Sequence, residues 1–340
     1  MSRSDFVSVI IPCFNEEQRI AGCLDSIFAN DYPNDKLEIL VVDGMSEDNT
    51  RKIINKYIIT HSSIIRLIDN PDRYTPIAFN LGVKNARGNI IMIMGAHSSY
   101  AKDYISQSIH FLHEYNADNV GGSMRTISRT NTLTGNTIAL AISHPFGVGN
   151  STFRTGSDEP QWVDTVFGGC YRREVFDKIG YFNENLISSQ DIDFNIRLQK
   201  AGGKILLVPS IVTDYYSRSD LISFTKHNFR NGIWSILPIK YTKKPLKLRH
   251  MIPLLFTTSI FILVGLSIIR AIFLYILLIL AAIYILITLY YSFKVAVVKK
   301  DFRFVISLPL AFFNLHFIYG LGSFYALYKL FKKDKISPTS

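Results

Sequence analysis

The chain has 340 residues, of which 48% are hydrophobic and 19% are charged, and its formal charge is +10. Residues 235–340 hold 14 Lys and Arg against 2 Asp and Glu, whereas the first 234 residues hold 23 against 25. Because all of the excess basicity lies in the apolar C-terminal part, the charge favours a membrane surface and argues against a nucleic-acid partner.

The N-terminal part alternates between short apolar runs and helical patterns. The apolar run within residues 1–12 is too short for a signal peptide, so we expect this part to stay in the cytosol. Alternation at this spacing predicts an α/β domain with a doubly wound, mainly parallel sheet. The predicted strands are 7–12, 38–43, 64–69 and 89–94, and the predicted helices are 17–29, 48–59, 76–87 and 103–115.

Ligands of such sheets bind where the strands end, at their carboxyl edge. That rule selects four segments as the candidate site: Pro12–Glu16, Asp43–Asp48, Asp69–Asn70 and Gly95–His97. The sequence has no GxGxxG after its first strand and no GxxxxGK[ST], which disfavours dinucleotide-dependent redox chemistry and P-loop hydrolysis. Its three cysteines form no CxxC pair, so we expect a reducing compartment and neither a disulfide framework nor a zinc site.

Three long apolar runs occupy the C-terminal part: Met251–Ile269, Ala271–Phe293 and Phe304–Tyr328. Each is close to the roughly 20 residues that a membrane span needs. Basic segments at 240–250 and 294–303 flank the first two runs, which predicts a hairpin that turns near Arg270 and has both flanks in the cytoplasm.

The third run contains several polar or helix-perturbing residues, and the basic segment after it would end on the wrong side for the charge rule. Two alternatives stay open, a full span, or a re-entrant or interfacial helical pair that returns to the cytoplasm. Polar groups at membrane depth are tolerated where they face protein or a cavity. The residues concerned are Pro309, Asn314, His316, Gly320 and Gly322.

Taken in order, the motifs resemble those of the family 2 glycosyltransferases, which have the GT-A fold. The similar segments are VSVIIPCFNEE, EILVVDGMSEDNT, FNLGVKNARGNIIMIMGAHSSY, VFGGCYRREVFDKIGYFNE and SSQDIDFNIRLQKAGGKI, and the resemblance covers roughly residues 6–235. The segments GAHSSYAKDYI, NFRNGIW and HFIYGLGS look most like the succinoglycan-type exopolysaccharide glycosyltransferases.

The resemblance implies a nucleotide-sugar pocket at the first strand ends. Asp43 would accept a hydrogen bond from a base N–H, although Asp43-Gly44 also suits a simple turn. The remaining residues assigned to this pocket are Pro12, Phe14, Asn15, Glu16, Ser46, Asn70 and Ala96.

GT-A enzymes usually hold Mg²⁺ or Mn²⁺ on the diphosphate through an Asp-x-Asp corner. The matching positions here are Gly95 and His97. The resemblance implies that His97 is the metal-side residue, helped by the nucleotide's phosphates or by a carboxylate elsewhere. A purely structural histidine is the alternative. The divalent cation is therefore expected, but with an incomplete ligand set.

The family's Glu-Asp motif reads Gln190-Asp191 here, and the resemblance implies that Asp191 is the general base. The alternative is that Asp191 and Asp193 are merely favourable acids in a first helical turn. The resemblance also places Gly169, Arg172, Arg173, Asp193, Arg230 and Trp234 on the acceptor or phosphate side.

The sequence thus predicts an inverting glycosyltransferase that adds one sugar from a nucleotide diphosphate sugar, of the UDP-hexose type, to a lipid-linked saccharide. A polyprenyl-phosphate sugar transferase and a non-catalytic membrane scaffold remain the alternatives, and the oligomeric state is open. The expected domains are a cytoplasmic GT-A domain (1–235), a basic linker (236–250), a multi-pass membrane region (251–331) and a basic tail (332–340).

Overall fold

The computed structural model describes residues 5–242 and 248–332, with side chains given outside 241–250. The chain forms two compact units, which we call the sheet unit and the helical unit. The sheet unit comprises the residues through Arg125 together with Gly156–Tyr215, and the helical unit comprises Thr126–Thr155 together with the residues from Tyr216 onward. The expected basic tail beyond 332 and the middle of the basic linker lie outside the described residues.

A nine-stranded sheet forms the sheet unit, in the order β3-β2-β1-β4-β8-β6-β9-β5, with β7 also paired to β9. The first four strands lie within a residue or two of their predicted positions and pair in parallel. The strands are β1 Val7–Cys13, β2 Leu37–Asp43, β3 Ile65–Asp69, β4 Ile90–Ile93, β5 Ser98–Tyr100, β6 Asn119–Ser128, β7 Gln161–Trp162, β8 Phe167–Arg172 and β9 Ile205–Ser217.

Helices follow each of the first three strands, and another follows the short β5, as the periodicity predicts. Helices on both faces bury β1 and β2 almost completely, which explains why both read as continuous apolar runs. The helices of this unit are α1 Ile20–Phe28, α2 Thr50–Thr60, α3 Thr75–Asn85, α4 Tyr104–Glu114, α8 Glu174–Ile179 and α9 Gln190–Lys200, with a 3₁₀ turn at Asn34–Lys36.

The second half of the sheet is antiparallel. β8 runs against β4, so that Ile90 pairs with Arg172 and Met92 pairs with Cys170. The carboxyl end of β8 therefore lies at the amino edge of the parallel strands, and its beginning lies at their carboxyl edge. This mixed pairing refines the expected mainly parallel sheet and decides which side chains can reach the site.

The helical unit contains the apolar runs. Two helices are long and apolar enough to cross a membrane, Ala271–Lys299 and Phe304–Phe331, and Met251–Ser267 is a shorter apolar helix. The unit's elements are α5 Leu133–Ala141, α6 Pro145–Val148, α7 Thr152–Thr155, α10 Leu221–Ile236, α11 Pro238–Thr242, α12 Leu248–Ser267, α13 Ala271–Lys299, α14 Phe304–Phe313, a π-helical stretch Asn314–Ile318, and α15 Tyr319–Phe331.

The third apolar run had two alternatives, and its described backbone forms one continuous helix. Phe313, Asn314 and Tyr319, which flank the π-helical stretch, keep helical dihedral angles, so the chain does not reverse there. Its polar side chains find partners inside the unit. His316 lies 2.9 Å from the Tyr284 hydroxyl and 2.8 Å from a carbonyl oxygen.

Glycines let α15 approach two neighbours at backbone distance. A Cβ atom at Gly322 would overlap the carbonyl oxygen of Phe229 in α10, and one at Gly320 would overlap α12. Because the two glycines are two positions apart, they face opposite sides of α15. Small residues at such contacts are typical of helix pairs in membranes.

The helical unit begins earlier in the chain than the expected boundary at 235. It includes α10 and the segment 126–155, which leaves the sheet between β6 and β7. Within this segment Thr132 caps α5 by accepting a hydrogen bond from the Gly135 amide. The Thr137 hydroxyl of α5 then lies 2.8 Å from the Ser307 hydroxyl of α14.

Candidate active site

The predicted strand ends lie side by side along the carboxyl edge of the sheet. Cys13, Asp43 and Asp69 are neighbours in the parallel register of β1, β2 and β3. Backbone bonds continue past the strands, from Gly44 N to the Cys13 oxygen and from Asn70 N to the Asp43 oxygen, both 2.8 Å. The loops that follow these strands therefore form one continuous surface.

Each of the first three loops contains one non-glycine residue in the left-handed region. These are Asn15 (φ 53°), Met45 (φ 59°) and Arg73 (φ 63°). Hydrogen bonds across the loops hold the first of them, because Asn15 N donates to the Ser46 hydroxyl and Glu47 N donates to the Asn15 side chain. Strained backbone held by its surroundings is typical of ligand-binding loops.

Asp43 lies beneath this surface. Its side chain is fully buried and accepts hydrogen bonds from the Ser46 amide (3.0 Å), the Ser46 hydroxyl and Arg51 Nη1 (2.9 Å). Arg51 also reaches Asp69 at 2.8 Å and so joins the ends of β2 and β3. In this arrangement Asp43 fixes the loop rather than facing a ligand. Its direct contact with a base remains a prediction, and that contact requires Ser46 or Arg51 to move.

Above Asp43, the loops present groups that suit a flat heterocycle. Phe14 and Met45 are exposed apolar side chains, and the Arg73 guanidinium lies 5.3 Å from the centre of the Phe14 ring. Asn70 is buried, and no described residue donates to its Oδ1 atom. A stacking surface beside a buried acceptor is a reasonable arrangement for a nucleobase. Sequence reasoning missed Arg51 and Arg73, which have no recognisable motif of their own.

The corner after β4 contains two predicted site residues, Ala96 and His97, and their side chains differ in burial. The Ala96 methyl group points into the core of the sheet unit, so only its backbone can meet a ligand. His97 is half-buried; its Nδ1 atom lies 3.4 Å from Glu16 Oε1, and its ring packs against Tyr215 with centroids 5.5 Å apart. Tyr215 has no signal in the sequence, because only the pairing of β5 with β9 brings it here.

The donor set at this corner fits part of a divalent-cation site. Among the described residues there is no group of three or more His, Cys, Asp or Glu side chains placed to hold a metal. His97 and Glu16 supply one imidazole and one carboxylate. Mg²⁺ and related ions at phosphate sites are commonly held by one or two protein ligands plus the phosphates themselves, so the pair fits a cation that arrives with a diphosphate.

Asp191 lies in the first turn of α9, half-buried. Burial, and then the nearby Asp191 carboxylate, raises the pKa of Tyr171 well above its ordinary value. The Tyr171 hydroxyl reaches back to the Gly168 oxygen at 3.5 Å, and Gly168 lies against the end of β4. The place of Asp191 at the carboxyl edge of the sheet stays a prediction. Ser189 precedes it in a left-handed conformation (φ 63°) and makes no side-chain cap.

Asp193 has a structural role, which corrects its placement on the acceptor or phosphate side. It is 5% exposed and pairs with Arg197 Nε at 2.9 Å. Arg197 in turn donates to the Ile179 and Tyr181 carbonyl oxygens. The side chain two positions after Asp191 points inward because the helix turns about 200° between them.

Arg172 and Arg173 also differ from their prediction. Arg172 donates to the carbonyl oxygens of Ala117 and Leu112, both at 3.0 Å, and Arg173 donates to those of Ala86 and Gly88. The antiparallel direction of β8 places both at the edge away from His97, so neither meets the donor phosphates there. Gly169 lies nearer the beginning of β8, toward the carboxyl edge of the parallel strands. It has φ 135°, and a side chain there would overlap the Tyr171 ring.

Two further predicted residues lie in the helical unit, on α10. Trp234 is 4% exposed and is therefore packed against other parts of the protein. Arg230 is exposed on the same helix. Asp220 caps α10 by accepting a 2.7 Å hydrogen bond from Ser223 N. The roles of Arg230 and Trp234 toward an acceptor remain predictions.

Comparisons with known proteins agree with this geometry. The family described as Glycosyl transferase family 2 matches residues 8–180. From Methanococcus voltae, dolichyl N-acetyl-alpha-D-glucosaminyl phosphate 3-beta-D-2,3-diacetamido-2,3-dideoxy-beta-D-glucuronosyltransferase is 33% identical over 67% of this chain and 72% of the relative. Succinoglycan biosynthesis protein ExoA from Rhizobium meliloti is 27% identical over 68% and 74%. The structure of a Pyrobaculum calidifontis mannosyltransferase with GDP-Man and Mn²⁺ has a TM-score of 0.61 at 19% identity, covers 98% and 89%, and supports the fold.

Proposed function

This chain belongs to the family 2 glycosyltransferases, and from that premise we propose that it transfers a single sugar, with inversion, from a nucleotide diphosphate sugar to a lipid-linked saccharide. The GT-A fold and the glycosyltransferase activity follow from the family. The acceptor class is supported by the M. voltae relative, whose name specifies a dolichyl-linked sugar phosphate. The R. meliloti relative adds the context of exopolysaccharide synthesis.

One observation supports the proposal: the loops after β1, β2, β3 and β4 converge at one edge of the sheet. The exposed ring of Phe14 would support the base, and the corner at His97 would face the diphosphate. A divalent cation bound at this corner would neutralise the charge that develops on the leaving diphosphate.

The remaining chemistry is assigned to Asp191. Its carboxylate accepts the proton of the acceptor hydroxyl while that oxygen attacks the anomeric carbon. The bond between this carbon and the diphosphate oxygen breaks, and its electron pair stays on the diphosphate. A single displacement of this kind inverts the anomeric configuration.

Membrane attachment through the helical unit is part of the proposal. Only 6% of the most apolar stretch of α13 is buried inside the protein, and the helix exposes large apolar side chains along its length. Burying them in lipid removes their cost in water. Basic residues at 294–303 favour the cytoplasm for that end of the helix. A multi-pass arrangement would keep the enzyme beside an acceptor that stays in the bilayer.

The test combines a donor screen with one variant. Membranes that contain the full chain are given a lipid-linked acceptor pool and each of several nucleotide sugars, and consumption of one donor is expected. Asp191→Asn should lower turnover by about 10²–10⁴-fold and leave donor binding intact. Asp177→Asn, an exposed acid in the first turn of the neighbouring helix α8, is the matched control and should be neutral.

The outcomes separate the rival functions. Full activity of Asp191→Asn would contradict the base assignment and favour a lipid phosphate acceptor, which needs no deprotonation. Failure of every nucleotide diphosphate to bind would contradict the enzyme and favour a scaffold.

A further inference from the structure

We propose that Glu16 supplies the carboxylate that the corner Gly95-Ala96-His97 lacks, so that Glu16 and His97 together hold a divalent cation once a nucleotide diphosphate is bound. The proposal deepens the proposed function and rests on it. It replaces an acid on the β4 loop with one on the β1 loop, at the adjacent strand end.

The separation of the two side chains favours a shared cation. His97 Nδ1 and Glu16 Oε1 are 3.4 Å apart, whereas a direct charge-assisted hydrogen bond is about 2.7–2.9 Å long. Two adjacent ligands that are each about 2.1 Å from one metal ion lie roughly 3.0–3.4 Å apart, depending on the angle between them. The observed separation is thus long for a direct bond and fits neighbouring ligands.

Glu16 is held in place by its backbone, and its carboxylate is left available. Glu16 N donates to the Thr50 hydroxyl at 2.7 Å, and Glu16 O accepts from Arg19 N and Ile20 N at the start of α1. Within the described part of the chain, its carboxylate has His97 as its only ion-pair partner and makes no hydrogen bond. The side chain is 23% exposed, which leaves one side open to a ligand.

Two protein ligands are too few for a tight site on their own. A hard divalent cation takes about six ligands and gives up its water reluctantly, so it usually keeps several waters beside one or two protein ligands and phosphate oxygens. The cation and the diphosphate should therefore increase each other's affinity, by the same factor, because binding linkage is reciprocal. The protein alone should bind the cation weakly.

The geometry at Gly95 offers a gain-of-function variant. A Cβ atom there would lie 3.6 Å from Ser98 Oγ and 4.0 Å from His97 Nε2, which is ordinary van der Waals contact, and Gly95 has no left-handed φ. An aspartate therefore fits at this position. Its carboxylate would lie next to the His97 ring.

The experiment measures Mn²⁺ affinity of the purified full chain by calorimetry and by the paramagnetic resonance of free Mn²⁺, with and without saturating UDP or GDP. We expect weak binding without nucleotide and tighter binding with it. Glu16→Gln, and Glu16→Asp, which retracts the carboxylate, should each weaken the nucleotide-dependent Mn²⁺ affinity at least ~10-fold. Gly95→Asp placed in the Glu16→Gln chain should restore it.

Asp35→Asn is the control, because it removes an exposed negative charge from the same unit in the turn that precedes β2, at the amino end of that strand. It should leave Mn²⁺ affinity unchanged. The inference is overturned if UDP or GDP binds and Mn²⁺ affinity is the same in wild type, Glu16→Gln and Glu16→Asp. If neither nucleotide binds to wild type under any condition, the proposed function fails instead.

Discussion

Arg172 lies directly opposite Ile90 in the antiparallel pairing of β8 with β4, at the far edge of the sheet from His97. This pairing turns an apparent phosphate-binding residue into a structural one. Its guanidinium donates to the carbonyl oxygens of Leu112 and Ala117 near the end of α4, which indicates a structural role.

Replacing Arg172 with Gln should therefore reduce stability and not donor affinity. Loss of two hydrogen bonds from a charged donor should lower the free energy of unfolding by about 1–3 kcal/mol. Thermal unfolding in detergent measures the first effect, and the KM for the donor measures the second. Lys102→Gln, an exposed side chain, is the control. A large rise in KM with unchanged unfolding would restore the phosphate role.

A second pair of variants distinguishes the roles of Asp43 and Asp69, the two carboxylates that pair with Arg51. Asp43 is buried and Asp69 is 57% exposed. Asp43→Asn should cost about 1–3 kcal/mol and weaken donor binding in parallel, because the loop 44–46 loses its anchor. Asp69→Asn should cost less than about 1 kcal/mol. If Asp43→Asn keeps its unfolding temperature yet loses discrimination between UDP and GDP, Asp43 contacts the base directly.

The glycine contact between α10 and α15 gives a third test. Gly322→Val would force a side chain into the Phe229 backbone, whereas Gly265→Val meets open space on α12. We expect Gly322→Val to lower the unfolding temperature and the yield of monodisperse protein in detergent, and Gly265→Val to change neither. Equal behaviour of the two variants would mean that α10 and α15 are not in backbone contact.

The fourth prediction concerns alkaline pH. Burial, and secondarily the charge of Glu16, raises the pKa of Cys23 from 9.0 to about 12. The folded state therefore favours the protonated thiol. Its contribution is complete below pH 9 and declines as the pH rises from 9 toward 12, by up to about 1.4 kcal/mol per pH unit. Unfolding curves at pH 7–10.5 should show a smaller alkaline loss for Cys23→Ala than for wild type; identical slopes would contradict this.

The local pattern predicted the parallel half of the sheet well. β-branched apolar runs and helical periodicity are properties of neighbouring residues, so β1–β4 and α1–α4 lie close to their predicted positions. The position of His97 at a strand end followed from the same pattern. Pro76 in the first turn of α3 marked that helix correctly.

The errors came from contacts between distant residues. No pattern among neighbouring residues shows that β8 runs antiparallel to β4, and that direction determines at which edge of the sheet Arg172 and Arg173 lie. Periodicity alone could have separated Asp193 from Asp191, because two positions on a helix differ by about 200°. The proximity of Glu16 to His97 depends on the register of β1 and β4, which the sequence does not encode in any short motif.

The helical unit is built from two segments that are far apart in the chain, and this affects its biosynthesis. Thr137 in α5 meets a partner 170 residues later, and Ser235 beside α15 meets one 88 residues later. Both α5 and α10 leave the ribosome well before the helix at Phe304–Phe331 that packs on them. Fragments that stop near residue 235 would carry two apolar faces without these partners, so aggregation during expression should accompany truncation at the domain boundary expected from the sequence.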